Sequence, residues 1–351
     1  MRNTLKVAAS IATAALLLTA CGSNTGSSGS TADADATTQA GAEETDDADD
    51  APAAGGDAYS IGVVQLVAHP SLDATNEGFV QALEDAGIAA DFDQKNANGD
   101  QTVASTIAGT FASQGLDLVL AIATPAAQAA AQAITDIPVL FTAVTDPVDA
   151  ELVASADAPG ANITGTTDAN PVKEQLQLIL DIVPGAATIG IPYSPGEANS
   201  LVQVQWAKDA AAELGLEIKE APATTSADVL QAAETLKDVD AIYVPTDNVV
   251  VSSLESVLQV GETNQVPVFG AEGDSVARGA IATYGLSYYA LGYQTGEMAI
   301  DILVNGADPA TMSVQTQNDL LLYLNLGAAE RMGVEIPQEL LDQADPENIT
   351  E

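Results

Sequence analysis

The chain has 351 residues, long enough for more than one hydrophobic core, and 47% of them are hydrophobic although only 4% are aromatic. Nine Lys and Arg stand against 50 Asp and Glu, a formal charge of −41 that repels phosphate backbones and anionic headgroups and excludes a nucleic-acid-binding role. One His and one Cys exclude zinc fingers, metal cages and disulfide frameworks, and no G-x-x-x-x-G-K-[ST] run is present to cradle a nucleotide phosphate.

Residues 1–20 read as a secretory signal. Arg2 and Lys6 precede an apolar, Ala-rich stretch over 7–18 that is short for a membrane span. It ends in Leu18-Thr19-Ala20-Cys21, the pattern of a bacterial lipobox, and Cys21 is the only Cys in the chain. Cys21 is therefore the expected site of lipidation (palmitate-type acyl chains). Each buried CH₂ of such chains adds about 0.8 kcal/mol of membrane affinity, enough together to hold the protein on the outer face of the bacterial cytoplasmic membrane. Residues 22–57 contain no Leu, Ile, Val, Met or aromatic side chain, so 21–57 is expected to be a disordered acidic tether. The run Asp46-Asp47-Ala48-Asp49-Asp50 lacks the Gly and terminal Glu of a calcium loop and reads as solvated spacer. Residues 58–351 still carry 41 acids against 7 basic residues, and we expect salt to relieve their mutual repulsion.

From Tyr59 onward, short apolar runs alternate with amphipathic stretches. Strands are predicted at 61–67, 89–94, 118–123 and 139–143, with helices between them striped by Leu72, Phe79 and Leu83 and by Val103, Ile107 and Phe111. The pattern restarts after Asn170-Pro171, with strands at 188–193, 241–244, 266–270, 281–284 and 320–324. Continuous apolar strands alternating with helices predict α/β architecture with parallel, doubly wound sheets. We place lobe 1 at 58–165, with 286–310 returning to it, and lobe 2 at 166–285 with 311–345. Crossings are expected near 163–168, 283–287 and 306–311.

In such sheets ligands sit beyond the carboxyl ends of the strands, beside helix N-termini that favour anions. Thr124-Pro125 and Thr145-Asp146-Pro147 stand at two strand exits, where a polar residue before Pro serves equally as a plain cap or as a ligand contact. The second half offers Tyr193 with the turn containing Glu197, Asn199 and Ser200, then Asp247-Asn248, then Glu272. These acids fit an ammonium or simply water; Gly270 and Gly273 close to Glu272 permit near approach and rank it first. His69, before Pro70, has no second His or Cys for a metal and reads as structural, exposed or ligand-facing. Trp206 lies at helical spacing with Val202 and Ala210 and reads as core. Tyr288 and Tyr289 fit ring stacking or packing. There is no nucleophile–base pair, cofactor fingerprint or metal set, so no enzyme, cofactor or metal is expected.

Ile61-Gly62-Val63-Val64-Gln65 with His69-Pro70-Ser71-Leu72-Asp73 resembles the solute-binding lipoproteins of ABC importers, in the branch associated with tryptophan and tyrosine uptake. So do AIATPAAQ (121–128), LFTAVTDPV (140–148), NITGT (162–166), PVKEQL (171–176), GEANS (196–200), IYVPTDN (242–248), GDSVARG (273–279) and TYGLSYYALGYQTG (283–296). The resemblance covers 60–337. It implies a type I periplasmic-binding-protein fold, two Rossmann-like lobes joined by a hinge, that closes on a small ligand and presents it to a permease with its ATPase subunit. The implied ligand is an aromatic L-amino acid (tryptophan, tyrosine or phenylalanine), and the implied state is a monomer. Thr124 and Thr145 become carboxylate contacts; Glu197, Asp247 or Glu272 take the ammonium; Tyr193 and Tyr288 supply stacking rings. Gln65, His69, Pro125, Asp146, Asn199, Ser200 and Asn248 complete the candidate site. A ligand-sensing lipoprotein of the same fold, and another amino acid, a nucleoside or a sugar as ligand, stay open.

Overall fold

The computed structural model describes residues 58–317 and 319–351. The signal, Cys21 and the acidic tether lie outside the described residues.

The chain runs β1 (Tyr59–Gln65), α1 (Pro70–Asp85), β2 (Ala90–Asn96), α2 (Gln101–Phe111), β3 (Leu118–Ile122), α3 (Thr124–Ala133), β4 (Val139–Val144) and β5 (Ile163–Thr167). It continues through α4 (Val172–Ile182), β6 (Thr188–Tyr193), α5 (Ala198–Leu214), β7 (Glu217–Pro222), α6 (Val229–Glu234), β8 (Ala241–Val244), α7 (Asn248–Val251), α8 (Leu254–Asn264), β9 (Val268–Gly270), α9 (Gly273–Arg278) and β10 (Ala282–Gly285). The last part is α10 (Tyr288–Leu303), β11 (Gln315–Thr316), β12 (Leu321–Asn325), α11 (Leu326–Arg331), α12 (Gln338–Gln343) and β13 (Ile349–Thr350).

Two parallel sheets result, ordered β11-β5-β4-β3-β1-β2 and β7-β6-β8-β9, with a small third sheet β10-β12-β13 beside the second. Each has its own core. Ile61, Phe79, Phe111, Leu120 and Phe141 anchor the first, and Leu176, Ile191, Tyr243, Val257 and Phe269 the second. β3 and β4 are buried along their whole length, as expected of strands covered on both faces, whereas no residue of the edge strand β2 is fully buried and only Ala221 is in β7.

Three crossings join the lobes, and their positions refine the expected borders. β5 pairs with β4 through Thr167, so Thr166 and Thr167 belong to lobe 1 and the first crossing follows them. The segment at 306–316 also stays in lobe 1. Gly160 N–H donates to Ala310 O, Thr164 Oγ1 to Met312 O, and β11 pairs with β5. The third crossing therefore lies between β11 and β12, and the expected assignment of 311–316 to lobe 2 is corrected by this pairing. α10 returns to pack on α1, with Gly78 and Gly292 permitting backbone contact. That contact seats Tyr288 at the mouth of lobe 1.

Candidate functional site

The loops at the carboxyl ends of both sheets face each other and close on a narrow chamber of only about 10 Å³. Lobe 1 contributes His69, Leu72, Ala143, Thr145, Asp168 and Tyr288; lobe 2 contributes Asn199, Thr246, Asp247, Asn248, Val251 and Glu272. Two strained alanines shape the lobe 1 rim. Ala123 sits at φ 82°, ψ 151°, a region ordinarily left to glycine, and Ala143 at φ 53°, where the β4–β5 register shifts between Phe141 and Val144. Such residues cost about 1–3 kcal/mol each and persist where the surroundings fix them, here at the exits that re-aim the rim toward the chamber.

Burial separates the acids into two groups. In the first, Glu272 accepts from Ser275 Oγ at Oε1 (2.8 Å), and no hydrogen bond to Oε2 forms among the described residues. Burial and the nearby Asp274 carboxylate push its carboxyl up to about 7. Asp168 accepts from Thr145 Oγ1 at 3.1 Å and from the Tyr288 hydroxyl at 2.7 Å, and burial raises it as well. In the second group Asp247 accepts from Ser200 Oγ (2.6 Å), from the Ser194 N–H and, as the cap of α7, from the Val250 N–H. Burial raises it despite these bonds. Glu197, pushed up to about 7 by burial and Asp247, accepts at Oε2 from Asn199 Nδ2 and from the N–H and Nδ2 of Asn248. The second pair gathers six bonds from protein donors, three on each acid, whereas Glu272 has the single bond from Ser275 and more acceptor capacity for a cation.

No Lys or Arg lines the chamber among the described residues. Arg278 lies nearby with its guanidinium committed to Glu255 and Val251 O. The His69 imidazole is neutral: burial lowers its pKa to about 4, against the bond to Asn248 and with help from the Arg278 charge. Between His69 and Leu72, Ser71 is fully buried with its hydroxyl directed at the Glu272 and Asp274 carboxylates, where it holds both acids lower than burial alone would. His69 Nδ1, Thr124 Oγ1, Asn199 Oδ1 and Thr246 Oγ1 are buried without partners among the described residues. Unsatisfied buried polar atoms cost about 1–3 kcal/mol each, and three of them, on His69, Asn199 and Thr246, line the chamber, which marks it as a surface built for a polar guest. A larger groove of about 430 Å³ shares the Asn248 wall and is lined by Asn98, Asp100, Gln101 and Thr225; none of these unpartnered atoms lies on it, so the chamber is the better site.

Of the residues singled out from sequence, His69, Thr145, Asn199, Asp247, Asn248, Glu272 and Tyr288 line the chamber, with Glu197 and Ser200 bonded directly behind them. Five lie elsewhere. Gln65 is spent on Val67 O and Asp73, Asp146 accepts from the N–H groups of Val148 and Asp149, and Tyr193 lies half-buried beside Glu220. Thr124 and Pro125 form the buried start of α3 without reaching the chamber wall. Thr145 spends its hydroxyl on an acid, which fits the positioning of Asp168 rather than a carboxylate contact. Trp206 is half-buried against the lobe 2 core. Asp168 was not anticipated, although Thr167-Asp168 before Asn170-Pro171 repeats the polar-then-Pro signature of the other strand exits.

Residues 60–347 match the family model for ABC transporter substrate binding proteins. The chain belongs to this family. Over 273 residues it is 42% identical to the tyrosine-binding protein of Clostridioides difficile strain R20291, covering 76% of this chain and 78% of that one. The solved ABC domain from Streptococcus pneumonia in complex with L-Trp is 35% identical, covers 82% of this chain and 98% of that chain, and superposes with a TM-score of 0.79. The ligand-free, open structure of a substrate binding protein with adhesive properties from Clostridium difficile is 43% identical over 83% and 98%, with a TM-score of 0.63. The substrate-binding chain described here thus matches the ligand-bound relative better in shape, despite being closer in sequence to the open one. Contacts across the junction agree with a closed arrangement: His69 Nε2 lies 3.5 Å from Asn248 Oδ1, Gln101 Nε2 donates to Gly196 O at 3.1 Å, and α3 touches α5.

Proposed function

We propose that this chain is the lipid-anchored, extracytoplasmic binding protein of an ABC importer, capturing an aromatic L-amino acid between its lobes and delivering it to the permease. The carrying observation is Glu272, a buried carboxylate on the chamber wall with an oxygen unspent and Asp168 close by. An α-ammonium fits there, because a cation offsets the cost of two buried carboxylates. Leu72, Val251 and the Tyr288 ring provide apolar walls for the side chain. The relatives named for tyrosine and crystallised with L-Trp support the aromatic class.

A thermal-unfolding panel tests the reading, using the L-amino acids, D-tryptophan, nucleosides and simple sugars. A ligand at 100 times its Kd adds about 2.7 kcal/mol, a shift of degrees. Stabilisation confined to tryptophan, tyrosine or phenylalanine is expected. A response to a sugar or nucleoside with silence across the amino acids would keep the fold and overturn the ligand.

A further inference from the structure

The Asn248 side of the chamber is chemically unlike the Glu272 side. Asn248 donates through Nδ2 to Glu197 Oε2 at 2.7 Å, which fixes its amide and leaves Oδ1 facing the His69 imidazole at 3.5 Å. The imidazole hydrogen therefore belongs on Nε2, and Nδ1 keeps a lone pair. Asn199 is fixed in the same way: Nδ2 donates to Glu197 Oε2 at 3.0 Å and to Thr246 O at 2.9 Å, so Oδ1 can only accept. Neither His69 Nδ1 nor Asn199 Oδ1 has a partner among the described residues, and the two side chains are only 7% and 4% exposed. Both line the chamber, one from each lobe, beside the apolar Leu72 and Val251.

We propose that His69 Nδ1 and Asn199 Oδ1 form a side-chain subsite that accepts a hydrogen bond from a ring N–H or O–H, so that the chamber takes tyrosine or tryptophan and rejects phenylalanine. The inference rests on the aromatic-amino-acid reading and adds the feature that discriminates within it. An ammonium is drawn to the carboxylates of Glu272 and Asp168, which leaves these two neutral acceptors for the far end of the ligand. A donorless ring seals them from water unpaired, and a site built to receive a hydroxyl or N–H discriminates strongly against the analogue that lacks it. Asn248 acts as a positioning residue by holding the tautomer.

Calorimetric titration of the protein with L-tyrosine, L-phenylalanine, L-tryptophan and 3-benzothienyl-L-alanine, in which sulfur replaces the indole N–H, tests this. The tighter of tyrosine and tryptophan should exceed its donorless counterpart by about 10–100-fold. In His69→Leu or Asn199→Ala that ratio should fall to within about threefold, chiefly through loss of the donor-bearing ligand. The wild-type ratio stands independently of whether either variant folds. Parity between each ligand and its counterpart in the wild type, or a ratio that survives both substitutions, overturns the subsite alone. Absence of binding by all four overturns the aromatic reading and the subsite with it.

Discussion

Tyr288 and Asp168, 120 residues apart in the chain, meet at 2.7 Å, the tyrosine hydroxyl donating to Oδ2. Both are buried, and each stands at a crossing between the lobes: Asp168 just past β5, Tyr288 at the first turn of α10. The bond fixes an acid at the chamber wall by means of the helix that returns the chain to lobe 1. Tyr288→Phe keeps the ring and removes the donor, leaving Asp168 with Thr145 alone. We expect ligand affinity to fall by about 1–2 kcal/mol, roughly 5–30-fold, with the unfolding midpoint lowered only slightly. Titration calorimetry checks this, and unchanged affinity would place Asp168 outside the site.

The acids and His69 give the pH dependence opposite signs. Glu272 and Glu197 rise from 4.5 to about 7 on folding, so each holds its proton longer in the native state. The stability they add is complete below about pH 4.5 and is lost as pH rises through about 7. His69 falls from 6.5 to about 4; its contribution is present above 6.5 and is lost as pH falls through about 4. Without amino acid, the unfolding midpoint should rise as pH is lowered from 8 to 7, where the two acids outweigh the onset of His69 protonation in the unfolded chain. An ammonium beside Glu272 favours its ionised form, so binding near pH 6.5 should release a proton. Heats of binding in buffers of different ionisation enthalpy will show this, and identical heats would contradict it.

The packing of α1 on α10 carries His69 and Tyr288 to the chamber. A Cβ at Gly78 would lie 2.0 Å from Tyr289 O, and one at Gly292 only 1.9 Å from Thr75 O. Gly78→Ala or Gly292→Ala must part the helices, and we expect a loss of about 3 kcal/mol or more together with weaker binding. Gly109, inside α2 with nothing within 4 Å of where a Cβ would stand, is the control: Gly109→Ala should stabilise by about 0.5–1 kcal/mol. Denaturant unfolding of the three variants checks the contrast.

The sequence was most legible where burial leaves a continuous apolar run. β6 and β8 were predicted at 188–193 and 241–244, the bounds observed. β7, Glu217–Pro222, escaped because an exposed edge strand of sequence EIKEAP carries no such run. At the site, Glu272 was recognisable from its neighbouring glycines, since they allow close approach. Tyr193 misled because it ends an interior strand and yet its ring lies by Glu220, a direction that spacing does not reveal. Asp168 was hidden by a border drawn two residues too early: β5 continues to Thr167, and the acid at its exit was read as part of a crossing.

The proposed anchoring rests on Cys21, the one Cys in the sequence. We expect the mature protein to begin at Cys21 with acyl chains attached, and Cys21→Ser to release the protein from membranes while leaving binding intact. Mass spectrometry of the membrane fraction and titration of the released chain check both. An unacylated mature chain in the medium from the wild type would refute the anchor.

The account turns on an ammonium-bearing aromatic ligand held at Glu272. Its most direct measurement is titration of wild type and Glu272→Gln with L-tyrosine and L-tryptophan at pH 7.5. The account predicts saturable binding of at least one by the wild type and binding weaker by about 1.5–3 kcal/mol, on the order of 10–150-fold, in the variant. The variant's unfolding midpoint should be no lower, since a buried charge has been removed. No binding to the wild type, or equal affinity in the variant, would contradict it.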